Sequence, residues 1–377
     1  MLLAIAAIPF IYYLIALYSS WRYFRQPLPA TDRSFAPPVS ILKPIRGLDP
    51  DAFENLASFC RIDYPEFEMV FCVDPDDQAV QEVLRKLAAE FPACRIRVLQ
   101  GSGRIATNDK VAKLARLVNE AACDVVVISD SDVRVRPDYL YQLTAPLRDP
   151  KVGAVTCFYV PTESATITDQ LQSIGMMSDF YAGVLVDWQL EGIKFALGPT
   201  IATTRSHLSK FGGYPELENR PADDFLVGRL IAEQGYQVVF LNYSIETVCD
   251  YASFRDLLHK RLRWIVVMRH MRPWGHFGLL LTQGLAWSLA ASAYRLSAAP
   301  AFLGTYLILR VAMTWMIGIR GLHQSRLWKQ LPLIPIWDAI ALGIWLISFS
   351  RNSIRWRGAD YYIRDGRLVP VSTARAD

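Results

Sequence analysis

Asp124-Val125-Val126-Val127-Ile128-Ser129-Asp130-Ser131-Asp132 is the stretch whose reading decides the fold. Four consecutive β-branched apolar residues, Val125 to Ile128, suit a strand buried on both faces, as strands of a parallel sheet are. The run then turns abruptly polar at Asp130-Ser131-Asp132. In open α/β sheets ligands bind beyond the carboxyl ends of the strands, so a site belongs there. Two carboxylates one residue apart repel unless a cation lies between them. A divalent ion carrying a diphosphate would serve, because Mg2+ and Mn2+ favour carboxylate and phosphate oxygen. A polar turn closing a strand explains the same three residues equally well, so the rest of the chain has to supply the context.

Upstream, strands and helices alternate. Val39–Leu42 reads as a strand ending at Lys43-Pro44-Ile45-Arg46-Gly47, and Asp51–Cys60 as a helix. Met69–Val73 is a second buried strand, ending at Asp74-Pro75-Asp76-Asp77, and Ala79–Phe91 has helical periodicity. Ile96–Leu99 is a third strand, followed by a helix with a basic face over Lys110–Ala122. Downstream, Pro137-Asp138 opens a helix, Val152–Phe158 is a strand, and Phe195–Thr203 is a strand with a Gly-Pro interruption. Phe211-Gly212-Gly213-Tyr214 is a turn, and Asp223-Asp224 opens a helix through Glu233. Acids at a helix N-terminus also serve as caps, so that pair has two readings. Alternation of this kind predicts an α/β fold with a mostly parallel sheet and crossover helices. Three successive strands then deliver polar residues to one edge, where a nucleotide site is expected.

The two ends of the chain are different. Leu2–Tyr18 is apolar and uncharged, and Trp21, Arg22, Tyr23 and Arg25 follow it. Positive charges after the apolar run, with an aromatic flank, predict an uncleaved anchor with the next domain in the cytoplasm. Gln26–Pro38 is a proline-rich linker. Phe254–Phe277 mixes Arg255, Lys260, Arg261, Arg263, Arg269 and Arg272 with Trp264 and Trp274, a pattern suited to the headgroup plane of a bilayer. Three apolar segments follow, Gly278–Tyr294, Ala301–Ile319 and Leu331–Phe349, with Arg310 interrupting the second. Three spans after the anchor would leave the arginine-rich tail outside, against the positive-inside rule. Gly278–Tyr294, the least apolar, is therefore the candidate for a re-entrant or interfacial segment. The expected organisation is an anchor over 1–25, a catalytic domain over 36–250, an interfacial helix over 251–277, membrane segments over 278–350 and a tail over 351–377. Thr168–Val186, rich in Met, Phe and Tyr, reads as core packing or as a lipid-facing groove.

Composition agrees with that division. The chain has 377 residues, 52% of them hydrophobic, with 40 Lys and Arg against 36 Asp and Glu, a formal charge of +4. The basic residues gather beside apolar segments, which favours a membrane surface and excludes nucleic acid as partner. Six cysteines form no Cys-x-x-Cys pair, as befits reduced core thiols in a cytosolic domain. No zinc pattern, Ser/His/Asp constellation or phosphate-loop motif is present, and Gly101-Ser102-Gly103 is too short for a dinucleotide fingerprint.

In order, the acids are Asp74, Asp130 with Asp132, and Asp224, followed by Lys260-Arg261-Leu262-Arg263-Trp264 just before the membrane segments. This order resembles the D, D, D, (Q/R)xxRW pattern of inverting membrane glycosyltransferases with a GT-A fold. More closely, it resembles the ceramide glucosyltransferase family, glycosyltransferase family 21, whose bacterial branch includes ceramide glucosyltransferases and the glycosyltransferase of bacteriohopanetetrol glucosamine biosynthesis. Leu42-Lys43-Pro44-Ile45-Arg46-Gly47, Asn108-Asp109-Lys110, Ala222-Asp223-Asp224-Phe225 and Trp356-Arg357-Gly358 add to the likeness.

The resemblance implies a UDP-sugar donor, a Mg2+ or Mn2+ ion, and a membrane lipid acceptor, ceramide or a hopanoid, at a bacterial inner membrane. One hexose, glucose or N-acetylglucosamine, would pass to a lipid hydroxyl with inversion. Alternatives are a processive polysaccharide synthase of the same superfamily and an inactive nucleotide-sugar-binding protein. Asp74 would hold the uracil or ribose, with Asp76 and Asp77 as substitutes. Asp130 and Asp132 would bind the metal and diphosphate; in many ceramide glucosyltransferases the Asp132 position is glycine, so Asp130 is the firmer assignment. Asp224 would be the general base for the acceptor hydroxyl, with Asp223 orienting or capping. Arg263 and Trp264 would close over the diphosphate and acceptor, where the planar guanidinium suits paired contacts to phosphate. The first position of that motif is Lys260 instead of Gln or Arg, and Arg261 is the neighbour placed to compensate. Lys43 and Lys110 would be donor-site cations or solvated surface lysines.

Overall fold

The computed structural model describes residues 1–27, 33–103, 106–162, 165–248, 251, 253–356 and 359–371; Cys249 and Arg357-Gly358 of the sequence reading lie outside them. The chain divides into two compact units, Pro27–Glu163 with Ile193–Asp250, and Met1–Gln26 with Ser164–Gly192 and Tyr251–Asp377.

The first unit is built on a mixed sheet. Its strands are β1 (Val39–Pro44), β2 (Phe67–Val73), β3 (Ile96–Gln100), β4 (Val125–Ser129), β5 (Val133–Arg134), β6 (Val152–Pro161), β7 (Thr200–Thr204) and β8 (Gln237–Thr247), and their spatial order is β3-β2-β1-β4-β7-β6-β8-β5. β1 pairs in parallel with β2 on one side and with β4 on the other, and β2 pairs in parallel with β3. β7 is antiparallel to both β4 and β6, while β6 and β8 are parallel. Val126, Val127 and Ile128 are fully buried, as the valine run predicts for a strand covered on both faces.

Register explains why the acids share an edge. Leu42 is level with Ile128, and Pro44 with Cys72. Asp130 and Asp74 therefore each lie two residues past a level paired with β1. The chain leaves β1 towards β2 and β3, then returns to β4 on the other side of β1. That reversal is a topological switch point, where a crevice opens at the carboxyl ends. The expected strand over Phe195–Thr203 is shorter, Thr200–Thr204, because residues 195–199 form a loop packed against the Asp223–Glu233 helix.

The second unit is helical. Three of its described helices are long and apolar enough to cross a membrane: Leu2–Tyr23, Leu296–Gly321 and Ser325–Ser348. Gly278–Tyr294 is not a continuous helix. Pro273–Gly278 and Leu279–Thr282 end at Gln283, and Gly284–Tyr294 has 11 residues. At 1.5 Å per residue that is roughly 16 Å, about half a bilayer core. The Tyr13 hydroxyl pins the break, donating to Thr282 O at 2.9 Å and accepting from Gly284 N at 3.0 Å. Ile167–Leu190 runs as one helical segment with a π-turn at Met176–Phe180 and belongs to this unit, not to the sheet. It is buried on nearly all sides, and helices of the same unit pack against it. Its Asp179 meets Arg310 Nη2 at 2.8 Å, and Arg310 also pairs with Asp338.

The described residues of the tail form a sheet of their own. β9 (Ser353–Trp356), β10 (Ala359–Arg364) and β11 (Arg367–Pro370) form an antiparallel sheet. Ile354, Ile363 and Leu368 pack on Val266 of the Phe254–Met271 helix. Arg269 secures the junction with bonds to Ser348 O, Arg351 O (2.7 Å) and Asn352 Oδ1 (3.0 Å).

Candidate active site

Asp130 and Asp74, just past the ends of β4 and β2, are each met by an ammonium from the Asp109–Glu120 helix, which starts at an Asn108 cap accepting from Val111 N at 3.3 Å. Lys110 Nζ lies 2.6 Å from Asp130 Oδ1 and 3.9 Å from Asp223 Oδ2. Burial works against its charge, but Asp130 and Asp223 outweigh that and hold the ammonium above its ordinary range. One turn on, Lys113 Nζ lies 2.7 Å from Asp74 Oδ1 and 3.2 Å from Asp109 Oδ2, and donates to Ile45 O at 2.8 Å. The helix thus presents two cations, one for each half of the acidic edge.

Lys43 departs from expectation. It is fully buried, its Nζ donating to Asp130 O at 2.8 Å and Ser129 Oγ at 3.3 Å, with the Phe59 ring centroid at 3.6 Å. It is neither a surface lysine nor turned out to a donor; it ties β1 to the end of β4. Burial lowers its pKa to about 7, opposed by Asp130, Asp132 and Asp49. Asp49, which sequence reasoning missed, accepts from Ser131 Oγ at 2.5 Å and so fixes the middle of the Asp-Ser-Asp turn.

Asp223 and Asp224 open their helix after Ala222, whose φ of 56° makes a sharp entry. Asp224 Oδ1 accepts from Phe225 N at 2.8 Å. Burial pushes the Asp224 carboxyl up to about 6, with Asp223 adding to the rise and Lys110 opposing it. Two glycines make room for it. A Cβ at Gly198 would lie 2.7 Å from Asp224 Oδ2, and one at Gly228 would overlap the backbone of Phe195 and Ala196. The loop 195–199 is thereby seated on the helix and brought up to the carboxylate. Capping and chemistry are both open to Asp224, but a raised carboxyl suits a proton acceptor better than a cap.

Asp132 sits half-buried at the same edge, its carbonyl accepting from Val248 N at 2.9 Å. Among the described residues no three His, Cys, Asp or Glu side chains gather in cation-binding geometry. A divalent ion at Asp130 and Asp132 would therefore draw further ligands from a bound donor, as Mg2+ commonly does.

Lys260, Arg261, Arg263 and Trp264 all lie on the Phe254–Met271 helix of the second unit. Arg261 is buried, Nε donating to Gln172 Oε1 at 2.8 Å and Nη2 to Gln172 O at 3.2 Å, and it stacks near Trp264 and Trp337. It is a packing residue, so it does not take over the role that Lys260 leaves open. Lys260 Nζ lies over the rings of Tyr251 (5.0 Å) and Trp264 (5.6 Å). Arg263 lies 5.7 Å from the Trp356 ring on β9. Gln172 carried no local signal in the sequence, and Trp356 entered only through the Trp356-Arg357-Gly358 likeness; Lys113 had a signal in its four-residue spacing from Asp109.

The model of Glycosyl transferase family 21 matches residues 1–369 of the chain. The chain belongs to that family. Ceramide glucosyltransferase 3 of Caenorhabditis elegans is 25% identical over 284 residues, 72% of this chain and 60% of the relative. Ceramide glucosyltransferase 1 of the same organism is 23% identical over 238 residues, 63% and 51% of the two chains. The family 21 chain described here thus spans about half to three fifths of the length of these curated relatives. A mannosyltransferase from Pyrobaculum calidifontis, solved in complex with GDP-Man and Mn2+, matches with a TM-score of 0.58 at 20% identity, covering 93% of this chain and 99% of that one. That likeness shows a GT-A glycosyltransferase fold, with the mostly parallel sheet expected from the sequence.

Proposed function

We propose that this family 21 chain is an inverting membrane glycosyltransferase that moves one hexose, glucose or N-acetylglucosamine, from a UDP-sugar to the hydroxyl of a membrane lipid, ceramide or a hopanoid. The observation that carries the reading is the acidic edge organised by Lys110, with Asp130, Asp223 and Asp224 around it, in a chain that also holds helices of membrane-spanning length. The names of the two Caenorhabditis elegans relatives support the choice of ceramide-like acceptors.

In this reading Asp74 binds the uridine and Asp130 with Asp132 faces the diphosphate. These hard oxygen donors, half-buried and one residue apart, fit Mg2+ or Mn2+. Such an ion supplies charge neutralisation for the departing UDP. Lys110 holds Asp130 in place and remains beside the phosphates as a point charge. Asp224 accepts the proton of the acceptor hydroxyl while that oxygen attacks the anomeric carbon; the bond to UDP breaks on the opposite face, and the configuration inverts. A base near pH 6 is ionised at neutral pH yet still takes a proton effectively, which is how general bases are tuned. Arg263 contributes further positive charge to the leaving diphosphate and Trp264 shields the acceptor.

The Leu2–Tyr23 helix would anchor the chain with the sheet unit in the cytoplasm, at a bacterial inner membrane. With two further spans, the tail returns to that same face, where Arg351, Arg355, Arg364 and Arg367 obey the positive-inside rule. The facing ends of these two helices, which carry Arg320, Arg326 and Lys329, are the basic stretch this topology leaves on the far face. The test is transfer from radiolabelled UDP-glucose or UDP-N-acetylglucosamine in membranes expressing the chain, followed by lipid extraction and mass spectrometry. One hexose on an extracted lipid is expected; label confined to water-soluble polymer would overturn the proposal.

A further inference from the structure

Lys113 is a charged side chain that is almost wholly buried, with 1% of its side chain exposed, and no role in transfer has been given to it so far. A buried ammonium is costly to retain unless its surroundings pair and hydrogen-bond it fully. Here they do, and the partners come from three separate elements. Asp74 follows the end of β2, Ile45 follows the end of β1, and Asp109 opens the helix that carries Lys113 itself. Of the two carboxylates, Asp74 is the more open, 38% exposed against 29% for Asp109, and it is the one that follows a strand end at the acidic edge. Its Oδ1 is held by a buried ammonium while part of the side chain stays open to solvent.

We infer that Lys113 is the positioning residue for nucleoside binding: it sets the orientation of Asp74, and through Asp74 the affinity for the nucleotide half of the donor. The inference rests on the reading of Asp74 as the uridine contact. It separates the two lysines of one helix by task. Lys110 serves the diphosphate end through Asp130, and Lys113 serves the nucleoside end through Asp74, 3 residues and one turn apart. A purely structural lysine at this position would lower the amount of folded protein without changing the affinity of what remains. A positioning lysine changes affinity for UDP and leaves turnover at saturation largely intact, because the attacking hydroxyl and Asp224 are untouched.

The test uses full-length protein in detergent, with UDP as probe in isothermal titration, and KM for UDP-glucose alongside kcat. Lys113→Met is expected to weaken UDP binding roughly tenfold and to raise KM by a similar factor, the scale of one charge-assisted hydrogen bond. Lys113→Gln keeps a donor for Ile45 O but removes the charge, and covers the case in which Lys113→Met does not fold; the same tenfold weakening is expected. Asp74→Asn should weaken UDP binding comparably, and Asp74→Asn with Lys113→Gln should be no worse than Asp74→Asn alone, since both act through one contact. Normal UDP affinity in Lys113→Gln, with Asp74→Asn impaired, would overturn the role of Lys113 and leave that of Asp74 standing. Normal affinity in Asp74→Asn would overturn the nucleoside reading and the positioning role with it. Additive losses in the double variant would assign Lys113 an independent effect and also overturn the inference.

Discussion

The acids of the sheet unit and the arginines of the Phe254–Met271 helix are held by opposite means. At the sheet edge, Asp74 and Asp130 each meet an ammonium within 2.7 Å, and Lys43 braces the turn from beneath. On the helix, Arg261 is held by a glutamine and two indoles, and Arg263 lies over Trp356. The first region is ordered by short, directional charge pairs, whose geometry a parallel sheet fixes through register. The second is marked by broad aromatic faces laid against the guanidinium groups. The difference suits the proposed division of labour. Carboxylates crowded at one edge need cations before a donor arrives, whereas Arg263, the arginine proposed for the diphosphate, lies against an indole.

The sharpest way to break this comparison is Asp224→Asn. Loss of a general base should lower kcat by roughly 10²- to 10⁴-fold, measured by label transfer to lipid. In the parent protein log kcat/KM should fall as pH drops through about 6, because the raised carboxyl is protonated below that value and cannot accept a proton. An unchanged acid limb in Asp224→Asn would move the base elsewhere. Chelation by EDTA comes next: turnover should fall roughly 10²-fold or more and return with Mn2+, while activity indifferent to EDTA would remove the metal role of Asp130 and Asp132. Arg310→Met should destabilise the helical unit by about 3 kcal/mol, because Asp179 and Asp338 lose their common partner; it reads out as a lower unfolding temperature in detergent, with KM for UDP-glucose unmoved. The smallest effect is Trp356→Ala. Removing one cation–π contact is worth roughly 0.5–1 kcal/mol, a two- to fivefold loss of kcat. Trp356→Phe should restore most of it, and no loss in Trp356→Ala would mean that Arg263 does not depend on the tail.

Most of the sheet was legible. The strands at 39–42, 69–73, 96–99 and 125–128 and the helices between them lie within a few residues of their expected bounds, because uninterrupted β-branched runs and 3.6-residue periodicity leave few alternatives. The edge that collects Asp74 and Asp130 follows from those strands alone. Less legible was everything set by packing between distant segments. Lys43 reads as a site cation and is an internal brace, because its position at a strand end says nothing about Phe59 and Ser129 closing over it. Arg261 and Arg263 are two residues apart, yet the first faces Gln172 and the second faces Trp356. The tail, read as a basic extension, is a three-stranded sheet whose few apolar positions make sense only against Val266.

By itself the sequence determined the α/β pattern, the order of the acids along the chain and the four apolar stretches, with Gly278–Tyr294 marked as the least apolar, since each is a local property of composition and period. Tertiary structure alone decided which lysine serves which acid, that Gly278–Tyr294 breaks into short helices, and that Ser164–Gly192 joins the apolar helices instead of the sheet. The reason is the same in all three. A buried charge, a broken helix and a helix buried nearly all round are each stable only with particular neighbours, and those neighbours are brought in from far along the chain.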